Sequence, residues 1–183
     1  MNLEFSLISY KTNNKSQIEK YHIIDNNNKV MRFKICNAYA PFGRQSEHQS
    51  KNSINQHRLN VCFTLNEVKN NNPLYLELTK LITEIETFFK EIDDFTDYEL
   101  ISNIIDRNSY GKVIRFNLKK LNNKTTSKLI QVINGEEIES EWIDFKNDLQ
   151  FNFEFYPLCL WIDKTNKKYG VSLLIEKVIQ FIS

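Results

Sequence analysis

The sequence predicts a mainly β chain with a helical insertion (α+β), folded as one Greek-key β-barrel with one or two helices between the middle strands. Three observations carry this. Short segments of apolar–polar alternation stand on both sides of the middle, one apolar stripe with helical spacing occupies the middle, and two long apolar runs end the chain. Strands, then helices, then strands, without βαβ alternation, argue against a doubly wound parallel sheet. A small barrel with a helix bridging its middle strands is the closed alternative. At 183 residues the chain is long enough for one sizeable core, so residues 1–183 are read as a single domain.

Leu3, Phe5 and Leu7 alternate with Glu4 and Ser6 and open the chain as a strand. Tyr21–Asp25 is a second strand, Asn26–Asn28 a turn, and Val30–Cys36 a third strand expected to pair back onto the second. Residues 40–56 are a long polar loop. In Arg58–Leu65 the apolar Leu59, Val61, Phe63 and Leu65 share one face, with Arg58, Asn60, Cys62 and Thr64 on the other.

Asn72 is placed to cap a helix and Pro73 suits its first turn; Leu78, Leu81, Ile82, Ile85, Phe88, Phe89 and Ile92 form its apolar stripe. Thr96 and Glu99 have capping-box spacing, which predicts a second short helix carrying Leu100, Ile101, Ile104 and Ile105. Both helices read as acidic outside and so as facing away from any nucleic acid. Strands resume at Lys112–Lys119 and Lys128–Ile133, the latter turning at Asn134-Gly135, a hairpin signal. Phe151–Ile162 and Tyr169–Ile182, joined by Lys164–Lys168, form the terminal hairpin. The last strand can complete its own barrel or pair across a homo-oligomer.

Formal charge is +1, so phosphate attraction has to come from local sorting of charge. From Arg107 to Lys128 every charged residue is basic, and from Lys29 to Arg58 Glu47 is the lone acid. Glu77–Asp106 and Glu136–Asp148 are acidic. Cys36, Cys62 and Cys159 are far apart and odd in number, which reads as free thiols in a reducing compartment. Met1–Tyr10 lacks the positive start and apolar run of a signal peptide, and no stretch is long enough for a membrane helix. These points lead to the expectation of a soluble cytoplasmic protein.

The glycines Gly43, Gly111, Gly135 and Gly170 are isolated, whereas a phosphate-cradling loop or dinucleotide fingerprint needs them clustered. His22, His48 and His57 have no metal-ligand spacing, and Cys62 no nucleophile signature. Asp93, Asp94 and Asp97 are of the type that holds Mg²⁺ in nucleases, but at a helix junction they read as a solvated helix end. No enzyme, cofactor or metal is therefore expected.

What remains is aromatic residues interleaved with basic ones. Single strands need flat faces for bases and cations for phosphates, and stacking tolerates any base. Arg32 and Lys34 flank Phe33, Arg44 follows Phe42-Gly43, Lys112 follows Tyr110-Gly111, Arg115 precedes Phe116, and Lys167-Lys168-Tyr169-Gly170 is similar. Strand alternation sends Phe33 and Phe116 to the core. Tyr39, Phe42, Tyr110 and Tyr169, beside glycine, proline or strand ends, are the stacking candidates. Trp161 fits either role, and Trp142 reads as packing. Arg58 and Lys119 complete the basic set.

Ala40-Pro41-Phe42-Gly43 with the strand Leu59–Leu65, Tyr110-Gly111-Lys112, and the ending Leu158–Ile162, Lys167–Ser172 and Val178 resemble single-stranded DNA-binding proteins of large cytoplasmic DNA viruses and of yeast cytoplasmic linear plasmids. The resemblance runs from about Cys36 onward. It implies an OB-fold protein that coats displaced single strands during replication of extranuclear linear or viral DNA, with replication proteins such as a DNA polymerase as further partners. Residues 1–28 have no counterpart in it, and the sequence reads as departing from the bacterial pattern, in which an acidic tail recruits such partners. The competing readings are a non-catalytic accessory subunit of a replication or transcription complex, and a nuclease built on the aspartates.

Overall fold

The computed structural model describes residues 6–10, 18–41, 44–46, 57–90, 97–107, 111–121 and 124–182. Ser6–Tyr10 (β1) and Ile18–Ile24 (β2) form an antiparallel pair. Phe33–Ala38 (β3), Arg44–Ser46 (β4) and His57–Phe63 (β5) follow, then helices Leu65–Lys69 (α1) and Pro73–Lys90 (α2). Next come Glu99–Leu100 (β6), Ile104–Asp106 (β7) and Lys112–Leu118 (β8). Two short strands, Lys120–Leu121 (β9) and Lys124–Thr125 (β10), pair with each other. The chain ends with Lys128–Ile133 (β11), Glu136–Ser140 (β12), Phe151–Asp163 (β13) and Lys168–Ile182 (β14).

The fold is mainly β with its helices inserted between β5 and β8, as the sequence pattern predicts. Its spine is the β13–β14 hairpin, whose inward residues Phe151, Phe153, Phe155, Leu173, Ile175 and Val178 are all buried. Main-sheet order is β1-β2-β13-β14-β8-β5-β4; among the described residues β1 and β4 end the path and do not meet. The expected barrel closure is thereby corrected. Fifteen-residue β14 uses one edge for β13 and shares the other between β6, β8 and β11, so the sheet branches there rather than closing.

The expected hairpin of the second and third strands is not formed. Instead β2 pairs with the Cys159–Asp163 end of β13, and β3 with its Phe151–Phe155 end. Between the two pairings lies Pro157, which has no N–H to donate, beside a register shift at Pro157/Cys159. The turn itself forms, with Asp25 Oδ1 accepting from the backbone of Asn27 and Lys29 at 2.8 Å each.

Helix α2 begins as expected: Asn72 Oδ1 accepts from the N–H of Leu74 at 2.9 Å, with Pro73 in the first turn. Its buried Leu78, Ile82, Ile85 and Phe89 share one core with Leu59, Val61, Ile114, Phe116 and Leu173. The preceding strand stops at Phe63, two residues early, because Thr64 forms a full capping box with Glu67 and starts α1. Leu65 is therefore exposed rather than inward. The second expected helix is also corrected, as Leu100, Ile104 and Ile105 lie in β6 and β7, and Thr96 falls outside the described residues.

Candidate nucleic-acid interface

Strands β5 and β8 each turn apolar residues inward onto α2 and polar residues to the opposite face. On β5, Leu59, Val61 and Phe63 are buried in the core and Arg58, Asn60 and Cys62 point the other way. On β8, Ile114, Phe116 and Leu118 go inward, leaving Arg115 and Asn117 outward. The antiparallel register sets Arg58 opposite Asn117 and Arg115 opposite Asn60. The two guanidinium groups are thus diagonal neighbours separated by asparagines, which avoids the directly opposed like charges that destabilise a sheet.

Beside β8, the sheet opens. Strands β14 and β8 pair only at Leu174–Ile175 with Asn117–Leu118, and residues 99–106 fill the wedge beyond. There β6 lies along β14 and β7 along β8. Asn103 sits at the apex, its carbonyl accepting from the N–H of Arg115 at 3.0 Å. Ile101 donates to the Tyr169 carbonyl at 2.8 Å. Glu86 of α2 reaches the wedge from below. It is 3% exposed, and accepts from Ser102 Oγ (2.7 Å), Asn103 N (2.7 Å) and Asn103 Nδ2 (3.0 Å). Glu86 is thus an acid on the inner face of α2, beside the outer Glu77 and Glu84.

Over the wedge lies a groove of about 300 Å³. Arg58, Arg115 and Lys20 bring positive charge to it, Trp161 an aromatic ring, and Asn103 and Asn117 amides. Trp161 stands opposite Gly170 on β14 and Lys20 on β2. The indole rests on Gly170: a Cβ there would stand 2.6 Å from Trp161 Cζ2 and 2.9 Å from the Ile101 carbonyl oxygen. Glycine is required at 170 for this close approach, as its neighbourhood in the sequence suggests.

Three sequence-predicted candidates therefore meet in one groove: Arg58, Arg115 and Trp161. The other candidate cations with described side chains lie elsewhere, several against carboxylates. Arg32 Nε donates to Glu176 at 2.6 Å and its guanidinium lies 5.9 Å from the centre of the Tyr156 ring. That ion pair holds the Glu176 carboxyl below its ordinary range, while burial pushes the Tyr156 hydroxyl up. Lys112 pairs with Asp106 at 2.6 Å and Lys168 with Glu99 at 3.4 Å. Lys34 is exposed opposite Glu154, Lys119 is exposed, and Lys167 occupies the β13–β14 turn with φ of 51°.

Among the stacking candidates, Tyr39 is 41% exposed and its carbonyl accepts from Cys62 N at 2.9 Å. Tyr169 is corrected: at 1% exposure it is a core residue, because β14 turns it inward toward α2. Phe42 and Tyr110 lie outside the described residues, as does the side chain of Arg44. Phe116 and Trp142 are packing residues as read, and Trp142 Nε1 donates to the Ser127 carbonyl at 2.6 Å. Burial pushes the Cys62 thiol up to about 11, the opposite of what an activated nucleophile needs. No group of three or more metal-ligating side chains occurs among the described residues.

Sequence reasoning missed Lys20, Asn103, Asn117 and Glu86. Lys20 joins the groove through the β2–β13 register, and Asn103 through a wedge that looks helical in sequence. Asn117 carried a readable signal, since it shares the outward face of β8 with Arg115.

No protein-family model matches this chain, and no curated protein matches it. Among solved structures, it is similar to the single-stranded DNA-binding protein from bacteriophage Enc34 with a C-terminal truncation. The TM-score is 0.45 at 11% identity, covering 100% of this chain and 98% of that one. The same phage protein in complex with single-stranded DNA gives 0.44 and 11%, covering 95% and 94%.

Proposed function

We propose that this chain binds single-stranded DNA without sequence preference and without catalysis, holding the strand along the outward sheet face. The observation that carries this reading is the groove itself. A tryptophan ring packed against a glycine stands beside Arg58, Arg115 and Lys20, on the face opposite the helix. A ring so placed offers a π-face to a base, and the cations meet the flanking phosphates. A duplex, with its bases stacked inside, presents no base face to such a ring. The larger setting belongs to the same proposal: an OB-like sheet, left open, that coats displaced strands during cytoplasmic replication of viral or plasmid DNA.

The test is fluorescence anisotropy of a labelled oligo-dT of about thirty bases, long enough for the roughly 4–16 nucleotides one OB unit covers. Protein is titrated at low and moderate salt, beside duplex DNA and RNA controls. Salt-sensitive binding that favours the single strand is expected. Equal affinity for duplex, or no binding at low salt, would overturn the reading and point to a protein partner for the basic face.

A further inference from the structure

The wedge that forms one wall of the groove fixes a side-chain amide in one orientation. Asn103 is 8% exposed, and both of its Nδ2 protons are used inside the protein: one goes to Glu86 Oε1 at 3.0 Å, the other to the Val171 carbonyl at 2.8 Å. Its backbone N–H is held by the same carboxylate oxygen at 2.7 Å. What Asn103 can offer the groove it lines is therefore its remaining polar atom, the acceptor Oδ1.

A neutral acceptor beside arginines does not serve a phosphate, which is itself acceptor-only. It suits a donor. Every nucleobase carries an N–H donor on its Watson–Crick edge: N3–H of thymine, N1–H of guanine, and the exocyclic amino groups of cytosine and adenine. In a duplex those donors are consumed by pairing. The identity of Glu86 follows from the same logic. A carboxylate is acceptor-only on both oxygens, so it satisfies Ser102 Oγ and both Asn103 donors at once, and so prevents the amide from turning round. A charge held at 3% exposure by neutral donors is costly to keep. An amide that must point one way is a reason to keep it.

We propose that the groove is a nucleobase site: an unpaired base stacks on Trp161 and donates from its Watson–Crick edge to Asn103 Oδ1, with Glu86 as the positioning residue that sets the amide. This rests on the single-strand reading above and adds to it the edge by which the base is recognised. Because all four bases supply a donor there, the site demands an unpaired base and tolerates its identity.

The test leaves the protein unchanged and alters the ligand. Anisotropy titrations compare oligo-dT with the same length of oligo-N3-methylthymidine, which keeps phosphates and ring faces and loses the edge donor. Binding of the methylated strand about tenfold weaker, with an unchanged salt slope, is expected. Glu86→Gln gives a second readout. Its amide presents one acceptor oxygen and an N–H₂ that cannot accept, so part of the preference for the unmethylated strand should remain, while Glu86→Leu should abolish it. Equal affinity for the two strands would overturn the nucleobase site while leaving strand binding intact. Failure of oligo-dT itself to bind would instead overturn the underlying reading.

Discussion

Replacing Gly170 with alanine separates the contact that builds the groove from the contact that uses it. The backbone at 170 lies outside the positive-φ region, so alanine is conformationally allowed and the whole effect comes from the added methyl. That methyl would stand 2.6 Å and 2.9 Å from Trp161 Cζ2 and Cε2, and 2.9 Å from the Ile101 carbonyl. All three are closer than real Cβ contacts. The Ile101 side is backbone held by the Tyr169 carbonyl, so the indole is what moves. Overpacking of this kind costs about 1–3 kcal/mol, a fall in Tm of roughly 2–12 °C for a chain of this size. Losing the stacked base should cost about 1–3 kcal/mol of binding. The assays are thermal unfolding, tryptophan emission in a Trp142→Phe background so that Trp161 alone reports, and oligo-dT anisotropy. Repeating Gly170→Ala in a Trp161→Ala background should recover part of the stability cost. Unchanged Tm and emission would refute the packing of Trp161 on Gly170. A shifted emission with unchanged affinity would refute stacking on Trp161.

Further expectations use the same materials. Arg58→Ala and Arg115→Ala should each flatten the logarithmic salt dependence of binding by about 0.7, whereas Lys112→Ala and Lys168→Ala, whose ammonium groups already face Asp106 and Glu99, should change it less; titrations at several salt concentrations decide. Tyr169→Ala should cost about 3–5 kcal/mol of stability in urea unfolding, as truncation of a buried aromatic does, and Tyr169→Phe should bind oligo-dT as the native chain does. At pH 8 a thiol reagent followed by mass spectrometry should modify exposed Cys36 and spare Cys62 and Cys159, both held protonated by burial. Because the folded Cys62 pKa lies above its ordinary value of 9.0, its contribution is complete below pH 9 and fades as pH rises toward about 11. Removing the thiol should flatten that alkaline loss.

Local signals were legible where one segment decides its own structure. Asn134-Gly135 forms its hairpin with both residues at positive φ, 51° and 84°. Asn72-Pro73 starts its helix, and the apolar runs on either side of Lys164–Lys168 pair as the spine. The early end of β5 is local, set by the Thr64–Glu67 cap, but the misread helix and hairpin are decided by partners distant in sequence. Three Thr-x-x-Glu patterns occur in the chain, of which Thr83–Glu86 lies inside α2. Thr64–Glu67 is a cap because the residues after it are free to turn, whereas Glu99 is drawn into a strand by Lys168 on β14. Likewise Val30–Cys36 reads as the return arm of a hairpin, but 13-residue β13 offers a longer edge than β2 does. Tyr169 reads as a strand-end ring free to project, but it is the second residue of β14 and faces the core at 1% exposure.

The charge pattern makes the strongest case that faces, not segments, determine the interface. The basic block from Arg107 to Lys128 is split by the fold: Arg115 enters the groove, Lys112 turns to Asp106, and Lys128 to Glu139 at 3.1 Å. Lys20 joins the groove from outside both basic blocks. A block of seven cations would predict a slope near −5 for log affinity against log salt, at about 0.7 per phosphate on a single strand. The groove, with Arg58, Arg115 and Lys20, predicts about −2 by the same rule. A measured slope near −2 that loses about a third with each arginine removed would place the strand where the structure puts the ring. A slope near −5, indifferent to Arg58, would mean that the phosphates track over exposed Lys119 and Lys124 instead, and that the tryptophan groove is incidental to binding.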